Sequence, residues 1–319
     1  MASLNLHNRI ETDVARTPRT ALATYIDDYR VAIDAKLSPR TVICYQKALR
    51  ELDVLLDHPS LAEFTLEAVE RVVATKRKSS PSNARLIAAV SKAFSRWLHR
   101  KRHTTTHLLE TLGVPAFNGR RRAFSDAEFR AIRRALDALP NRTRKRDRAL
   151  VLFAMGSGLR SNELRTLDLE DLHIERPLTQ SWALVRWETS KSKSSRQVRI
   201  AEDAAAAMHD YLASDRLDGP GPVFQTEAGR PFTYDGWGKM WARIADAMES
   251  NGIKHFGAHR CRHQWATMGA RTGQSQAEMC QEGGWERGSK VPSRYIDEIP
   301  FAEMQRRASP MSAFLRKAS

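Results

Sequence analysis

The chain has 319 residues, three cysteines and a formal net charge of +15, with a pI near 10.1. This length has room for two domains, and the positive charge favours polyanionic partners through attraction and release of counterions. The cysteines are widely spaced, with neither disulfide-framework nor zinc-ligand spacing, and no apolar run reaches the length of a membrane span, so we expect a cytoplasmic protein.

The first part of the chain carries repeated helix-start signals. Residues 1–17 lack apolar periodicity and are expected to form a flexible tail. Ser38-Pro39 and Ser80-Pro81 each place a capping residue before a proline at the first helical position, and Thr65 is a third cap. Apolar residues at three- and four-residue spacing follow each cap. Residues 18–112 are therefore predicted to form a small helical domain.

Basic residues cluster near two helix ends of this domain and again in the segment that follows it. Such clusters are usually solvated, but together with the net charge they favour contacts with DNA phosphates. Residues 113–124 contain helix breakers and no apolar period, which predicts a basic linker between domains on two sides of a duplex. The candidate DNA contacts are Lys76, Arg77, Lys78, Arg100, Lys101, Arg102, Arg120, Arg121 and Arg122.

A second domain is predicted to begin at residue 125 and to end at residue 297. Ser125 and Glu128 match a capping box, with Phe124 and Phe129 at the positions of a hydrophobic staple. Residues 298–319 form a C-terminal tail with apolar residues at helical spacing. This tail is expected to be a helix that packs either on its own domain or on a neighbouring protomer.

Strand signals occur only inside the second domain. Alternating residues in 182–187 and 196–200 predict two short strands joined by a polar turn. Helical spacing returns at 204–212, 237–248 and 259–272. The predicted fold class is therefore mainly α with two domains, the second mixed α/β with a small antiparallel sheet.

Arg160 and Glu163 form the first candidate chemical group. The planar guanidinium of an arginine can clamp a phosphate, and a carboxylate three residues later can orient it. An ordinary surface ion pair at this spacing is the alternative.

A second group is His259, Arg262 and His263, which share one face of a helix. Two imidazoles beside a guanidinium suit an anionic substrate that needs proton transfer. A metal site and a basic helix end are the alternatives, and the intervening arginine disfavours a metal.

Gly283-Gly284-Trp285 and Arg294-Tyr295 argue for no function when each is taken alone. Taken in order with the other groups, however, they make the chain resemble the tyrosine recombinase, or phage integrase, family over about residues 18 to 300. The matching positions are Arg160, Glu163, Lys191, His259, Arg262, His263, Trp285 and Tyr295.

Two further segments carry this resemblance. The segment 191–198 is similar to the family's K-x-x-K-x-R-x-V hairpin, because Lys191 and Arg196 keep the five-residue step although the second lysine is displaced to Lys193. Lys193 and Arg196 are added to the DNA-contact candidates. Ser38–Thr41 resembles a helix start of the family's SAM-like core-binding domain.

The resemblance implies a site-specific recombinase that cleaves and religates duplex DNA through a 3′-phosphotyrosyl intermediate. The resemblance implies that Tyr295 is the nucleophile. The step from Trp285 to Tyr295 is ten residues, one longer than expected, so the placement of Tyr295 in the site of its own chain stays open. The implied roles are phosphate clamping by Arg160 and Arg262, proton acceptance by His263, proton donation by Lys191, hydrogen bonding to phosphate by His259 and Trp285, and positioning by Glu163.

The resemblance also implies partners. Double-stranded DNA, a homotetramer on that DNA and accessory DNA-bending proteins are expected in a bacterial nucleoid, with no cofactor and no metal. The reaction would be integration, excision or resolution of a DNA element. The alternatives are an enzyme like type IB topoisomerases or telomere resolvases, and a catalytically silent DNA-binding regulator.

Overall fold

A computed structural model describes residues 21–116, 123–190, 193–296 and 299. The chain divides into two compact units, residues 1–119 and 120–319. The boundary lies inside the segment 113–124 that the sequence predicts as a linker. Within the described residues, no helix is both long and apolar enough to cross a membrane.

The first unit is helical throughout its regular structure. The predicted caps are present in part: the Ser38 and Thr65 side chains accept hydrogen bonds from backbone amides three residues on, whereas Ser80 makes no side-chain cap. The helices pack around a core that includes Phe64, Phe94 and Leu98. They are α1 (Ala21–Asp34), α2 (Pro39–Leu55), α3 (Leu66–Ser79) and α4 (Pro81–Arg100).

The second unit is also mainly helical and contains a three-stranded antiparallel sheet. The predicted fold class is thereby confirmed. Its helices are α5 (Asp126–Asp137), α6 (Arg144–Ser157), α7 (Ser161–Arg165), α8 (Glu202–Ser214), α9 (Tyr234–Glu249), α10 (Ala258–Arg271), α11 (Gln276–Gly283) and α12 (Ser293–Ile296), and its strands are β1 (Leu172–His173), β2 (Trp182–Val185) and β3 (Arg196–Arg199).

The β2–β3 hairpin sets which side chains face the interior. β2 and β3 pair in register from Trp182 opposite Arg199 to Val185 opposite Arg196. Because side chains alternate along a strand, Arg196 and Val198 point inward and are buried, while Gln197 is exposed. The sheet therefore delivers one arginine into the interior of the unit.

The start of the second unit differs from one sequence prediction. Ser125 and Glu128 make the predicted capping box at the beginning of α5. Phe124, however, stacks on Phe256 with ring centroids 5.6 Å apart, while Phe129 remains 37% exposed. The aromatic residue before the cap thus packs against a distant segment, while its predicted staple partner Phe129 lies partly at the surface.

Candidate active site

Arg160 and Glu163 are joined directly in the structure. Arg160 is the residue before α7, and its backbone amide donates to Glu163 Oε2 at 2.8 Å. Its Nη1 donates to Glu163 Oε1 at 3.0 Å. The Glu163 side chain is almost completely buried, whereas that of Arg160 is 23% exposed. This is not the surface pair of the alternative reading, because the carboxylate lies inside the fold.

Arg196 completes this group from the other side. Its Nη1 and Nη2 donate to the two oxygens of Glu163 at 3.1 and 2.8 Å, and its side chain is only 5% exposed. A guanidinium that is buried and bonded in this way does not fit the direct DNA contact that the sequence predicts for Arg196. The alternation of β3 aims it at Glu163 instead.

Glu163 is ionised because of these neighbours. Burial raises its pKa, but hydrogen bonds and charge from Arg196, followed by the backbone amide and charge of Arg160, outweigh burial and leave the pKa below its ordinary value. One carboxylate therefore holds two guanidinium groups in fixed orientations.

Three arginines donate hydrogen bonds to consecutive backbone carbonyls at the C-terminal end of α11. Arg196 Nε donates to the carbonyl of Glu282 at 2.8 Å, Arg262 Nη2 donates to that of Gly283, and Arg160 Nη2 donates to that of Gly284 at 2.7 Å. The last carbonyls of a helix lack partners within the helix and carry partial negative charge, so cations are favoured there. This helix end gathers side chains from β3, α10 and the start of α7.

Arg262 lies deeper than Arg160. It is 6% exposed, its Nη1 donates to the Gly158 carbonyl at 2.6 Å, and its Cζ lies 4.4 Å from the centre of a Trp285 ring. Burial, followed by the charge of Arg160, lowers the pKa of Arg262 to about 9. The group still carries its charge at neutral pH, which a role in phosphate binding requires.

Two glycines make room for this arrangement. Gly284 has φ +61° in the left-handed region, and a Cβ there would lie 2.7 Å from Cζ of Arg196 and 3.0 Å from Nη1 of Arg160. Gly158 has φ +64°, and a Cβ there would lie 2.2 Å from the Trp265 ring. Both positions need glycine for conformation and for space.

Tyr295 lies in the site of its own chain. Its hydroxyl is 2.9 Å from Nδ1 of His263, and Nε2 of His263 is 3.1 Å from Nε2 of His259. The Trp285 and Tyr295 ring centroids are 6.4 Å apart. Despite the longer Trp285–Tyr295 step, Tyr295 thus lies close to both His263 and Trp285 of the same chain. His259 directs one ring nitrogen to His263, a contact that the sequence did not predict.

Only one of the two lysines between β2 and β3 is among the described residues. Lys191 lies outside the described residues. Lys193 is exposed, with φ +52° and its Nζ 5.7 Å from the centroid of the Trp187 ring. The assignment of a catalytic role to Lys191 therefore remains a prediction from the sequence.

The other candidate DNA contacts belong mostly to the surface of the first unit. Lys76 forms an ion pair with Glu51 at 2.5 Å, so part of its charge is already balanced. Residues 77, 78 and 100–102 are exposed. The linker candidates Arg120, Arg121 and Arg122 and the predicted tail 298–319, apart from Ile299, lie outside the described residues.

Arg260, between the two site residues His259 and Arg262, has a structural partner. Its Nη2 donates to Glu128 Oε1 at 2.7 Å, and its Cζ lies 4.1 Å from the centre of the Phe124 ring. It ties the start of α10, which carries the site residues, to the start of α5. No pattern in the sequence indicated this contact.

This tie predicts a pH-dependent stability. Burial raises the pKa of Glu128, but hydrogen bonds from Ser125 and Arg260 lower it overall to about 2. A depressed pKa gives stability that is complete above the unfolded value near 4.5 and is lost as the pH falls towards 2. Glu128→Gln should therefore cost about 2 kcal/mol of unfolding free energy at pH 7, after discount for solvent screening, and much less at pH 3.

Urea unfolding at both pH values measures this difference. Glu278→Gln is the matched control, since Glu278 also closes a capping box, with Ser275, but has no hydrogen bond to an arginine side chain. We expect it to cost less than Glu128→Gln at pH 7. An equal loss in both variants would assign the effect to the cap alone.

Among the described residues, no group of three or more histidine, cysteine, aspartate or glutamate side chains is placed to hold a metal ion. The site instead joins a tyrosine to a histidine pair, beside three arginines held at one helix end. A two-unit, mainly helical fold with this site defines a protein of the tyrosine recombinase class.

Comparison with known proteins gives the family. The model described as the phage integrase family matches residues 124–300, more than half of the chain, and the chain therefore belongs to that family. Tyrosine recombinase XerC of Pseudomonas putida (strain W619) is 25% identical over 247 residues, which cover 73% of this chain and 77% of the relative.

Solved structures share the fold. A lambda integrase dimer bound to a COC′ core site has a TM-score of 0.67 at 16% identity, over 90% of this chain and 98% of that one. A lambda integrase tetramer bound to a Holliday junction has a TM-score of 0.68 at 16% identity, over 94% and 82% of the two chains.

Proposed function

We propose that this protein is a site-specific recombinase that cleaves and religates duplex DNA through a 3′-phosphotyrosyl bond at Tyr295, and so integrates, excises or resolves a DNA element. The observation that carries the proposal is the 2.9 Å contact between the Tyr295 hydroxyl and Nδ1 of His263. A phenol is a weak nucleophile near neutral pH until a neighbouring base takes its proton.

The proton leaves Tyr295 for His263 as the phenol oxygen attacks phosphorus. For this step Nδ1 of His263 must be unprotonated. Its Nε2 therefore carries the ring hydrogen and donates a hydrogen bond to Nε2 of His259. The imidazolium formed on His263 keeps that donor bond. His259 thus stabilises the charged base through its ring nitrogen, which adds to the phosphate contact implied by the family resemblance.

Arg160 and Arg262 supply positive charge where the phosphate oxygens gain negative charge. Arg160 is partly exposed, while Arg262 is buried against Trp285. Guanidinium groups are positively charged side chains with a planar set of N–H donors, so these two can neutralise the charge that develops on the phosphate oxygens.

The bond that breaks joins phosphorus to the 5′ oxygen of the next nucleotide. That oxygen leaves as an alcohol when it receives a proton, which we assign to Lys191 on the β2–β3 hairpin. The phosphotyrosyl ester conserves the energy of the broken bond, so an incoming 5′ hydroxyl can reverse the steps without a nucleotide cofactor.

DNA binding is assigned to the exposed basic residues of the first unit and to the linker. Arg77, Lys78 and residues 100–102 are exposed, and neutralising phosphates with such residues gives salt-dependent affinity. Recombination of two duplexes needs four active sites, and the tetramer of the related fold on a Holliday junction supports a homotetramer here. Accessory DNA-bending proteins and action at the bacterial nucleoid belong to the same proposal.

The test is covalent capture of DNA in the presence of EDTA. The full chain is mixed with a pool of nicked random-sequence duplexes, and attachment that survives SDS is selected and amplified. The best duplex recovered, here called the selected duplex, serves in all later assays. Trypsin should then leave DNA on a peptide that ends at Arg306 and in which Tyr295 is the sole tyrosine.

We expect capture in EDTA at a rate close to that with magnesium, because Arg160 and Arg262 occupy the role of a divalent ion. No adduct under either condition would contradict the enzyme and favour a silent DNA-binding regulator. A protein that forms the adduct and relaxes supercoiled DNA, but never joins two selected duplexes into a Holliday junction, would favour the topoisomerase-like alternative.

A further inference from the structure

We propose that Arg196 is a positioning residue, which sets the orientation of Arg160 and Arg262 without touching DNA itself. This inference rests on the proposed function, because it assigns those two arginines to the scissile phosphate. It replaces the sequence expectation that Arg196 contacts DNA. The two ends of the Arg196 guanidinium contact different parts of the site.

The first end acts through Glu163. Arg196 occupies both carboxylate oxygens, at 3.1 and 2.8 Å, while Arg160 reaches Oε1 with its side chain and Oε2 with its backbone amide. Without Arg196, the carboxylate would be open to a bidentate pair with Arg160. Arg160 would then be drawn towards Glu163 and away from the Gly284 carbonyl that now holds its Nη2.

The second end acts through α11. Nε of Arg196 holds the carbonyl of Glu282, and the next two carbonyls hold Arg262 and Arg160. Any shift of this helix end moves the anchors of both clamping arginines together. Because Trp285 follows directly and lies near both Arg262 and Tyr295, the same shift reaches the nucleophile.

The charges around Arg262 explain why position 196 needs a planar guanidinium. Arg160 and Arg196 both repel Arg262, and Glu163 offsets them. A balance of this kind holds only while each guanidinium keeps its place. The planar guanidinium makes three directed bonds in the structure, which the compact ammonium of a lysine does not reproduce.

The experiment compares Arg196→Gln and Arg196→Lys with wild type in single-turnover cleavage of the selected duplex. Each protein is also tested on the same duplex with a neutral methylphosphonate at the scissile position. Arg199→Gln is the matched control, since Arg199 is on the same strand but 69% exposed and paired with the Glu282 side chain. Thermal unfolding and the salt dependence of binding are measured for every variant.

We expect both Arg196 variants to cleave the ordinary duplex about 100-fold more slowly than wild type, the size of loss that a misplacement near 1 Å causes. On the methylphosphonate the gap should shrink to about tenfold or less, because one phosphate charge no longer needs the clamp. The slope of log K against log salt should stay at the wild-type value, and Arg199→Gln should cleave both duplexes at about the wild-type rate.

Three results would overturn the positioning role. An equal loss on both duplexes means that Arg196 only holds the fold together. A salt slope lowered by about 0.9 with cleavage intact at saturation means that it contacts a phosphate. Wild-type rates in Arg196→Lys mean that charge alone suffices. If wild type itself forms no adduct, the proposed function is contradicted. That outcome is distinguishable from the three above because it does not depend on any variant.

Discussion

Removing the hydroxyl oxygen of Tyr295 should abolish covalent capture of DNA while leaving DNA binding unchanged. Tyr295→Phe keeps the ring that contacts Trp285 and His263, at centroid distances of 6.4 and 5.5 Å, so the local packing remains. The atom that is lost is the one 2.9 Å from His263 Nδ1. Loss of a nucleophile that works as a unit with its base costs on the order of 10⁶ in rate in a well-studied hydrolase.

The measurement is SDS-resistant attachment to the selected duplex, with a mobility shift as the readout of binding. Tyr234→Phe is the matched control, because Tyr234 belongs to the same unit and is 52% exposed. We expect it to form adduct at the wild-type rate. Adduct from Tyr295→Phe at even a hundredth of that rate would assign the nucleophile to another residue.

Local signals in the sequence predict the starts of three helices that begin with a cap. Ser38, Thr65 and the Ser125–Glu128 box lie where the structure begins α2, α3 and α5. Such signals work because the cap and the groups that it binds are three residues apart. The alternation of 182–187 and 196–200 likewise predicts the β2–β3 hairpin. β1 has only two residues, too few for alternation to register.

The contacts that build the site are not local. Arg196 meets Glu163 across 33 residues and the Glu282 carbonyl across 86, and Arg260 meets Glu128 across 132. Alternation predicts that Arg196 shares a face with Val198, but it cannot say what covers that face. A buried arginine and an arginine on DNA look the same in one sequence. A signal existed all the same, because Val198 is apolar and Gln197 and Arg199 are polar.

The glycines before Trp285 illustrate the same limit. The pattern Gly283-Gly284-Trp285 helps to match the family, but it does not reveal why glycine is needed. The reason is the approach of Arg196 and Arg160 to within 3.0 Å of a Cβ at position 284. The sequence alone also does not show how the chain accommodates the ten-residue step from Trp285 to Tyr295. In the structure Gln276 donates a hydrogen bond to the Ser289 carbonyl within this step, and the Tyr295 hydroxyl still contacts His263.

Lys191→Ala should cleave ordinary DNA very slowly and regain most of its rate on DNA with sulfur at the 5′ bridging position. An alkoxide leaves poorly without a proton, whereas a thiolate leaves without one because thiols are far more acidic than alcohols. General-acid catalysis is worth about 10² to 10⁴ in rate, so the loss and the recovery should both be of that size. Rescue of this kind reports the proton donor and not general damage to the site.

Lys193→Ala is the matched control for Lys191→Ala, since both lysines belong to the polar sequence segment 189–195. Lys193 is exposed and its Nζ lies 5.7 Å from the centroid of the Trp187 ring. We expect Lys193→Ala to weaken binding at most and to gain nothing from the sulfur. Rescue of Lys193→Ala alone would place the acid two residues later than the hairpin match does. Rescue of neither variant would move the proton donation to another group, and His263 would be tested next, since it holds the proton that Tyr295 has lost.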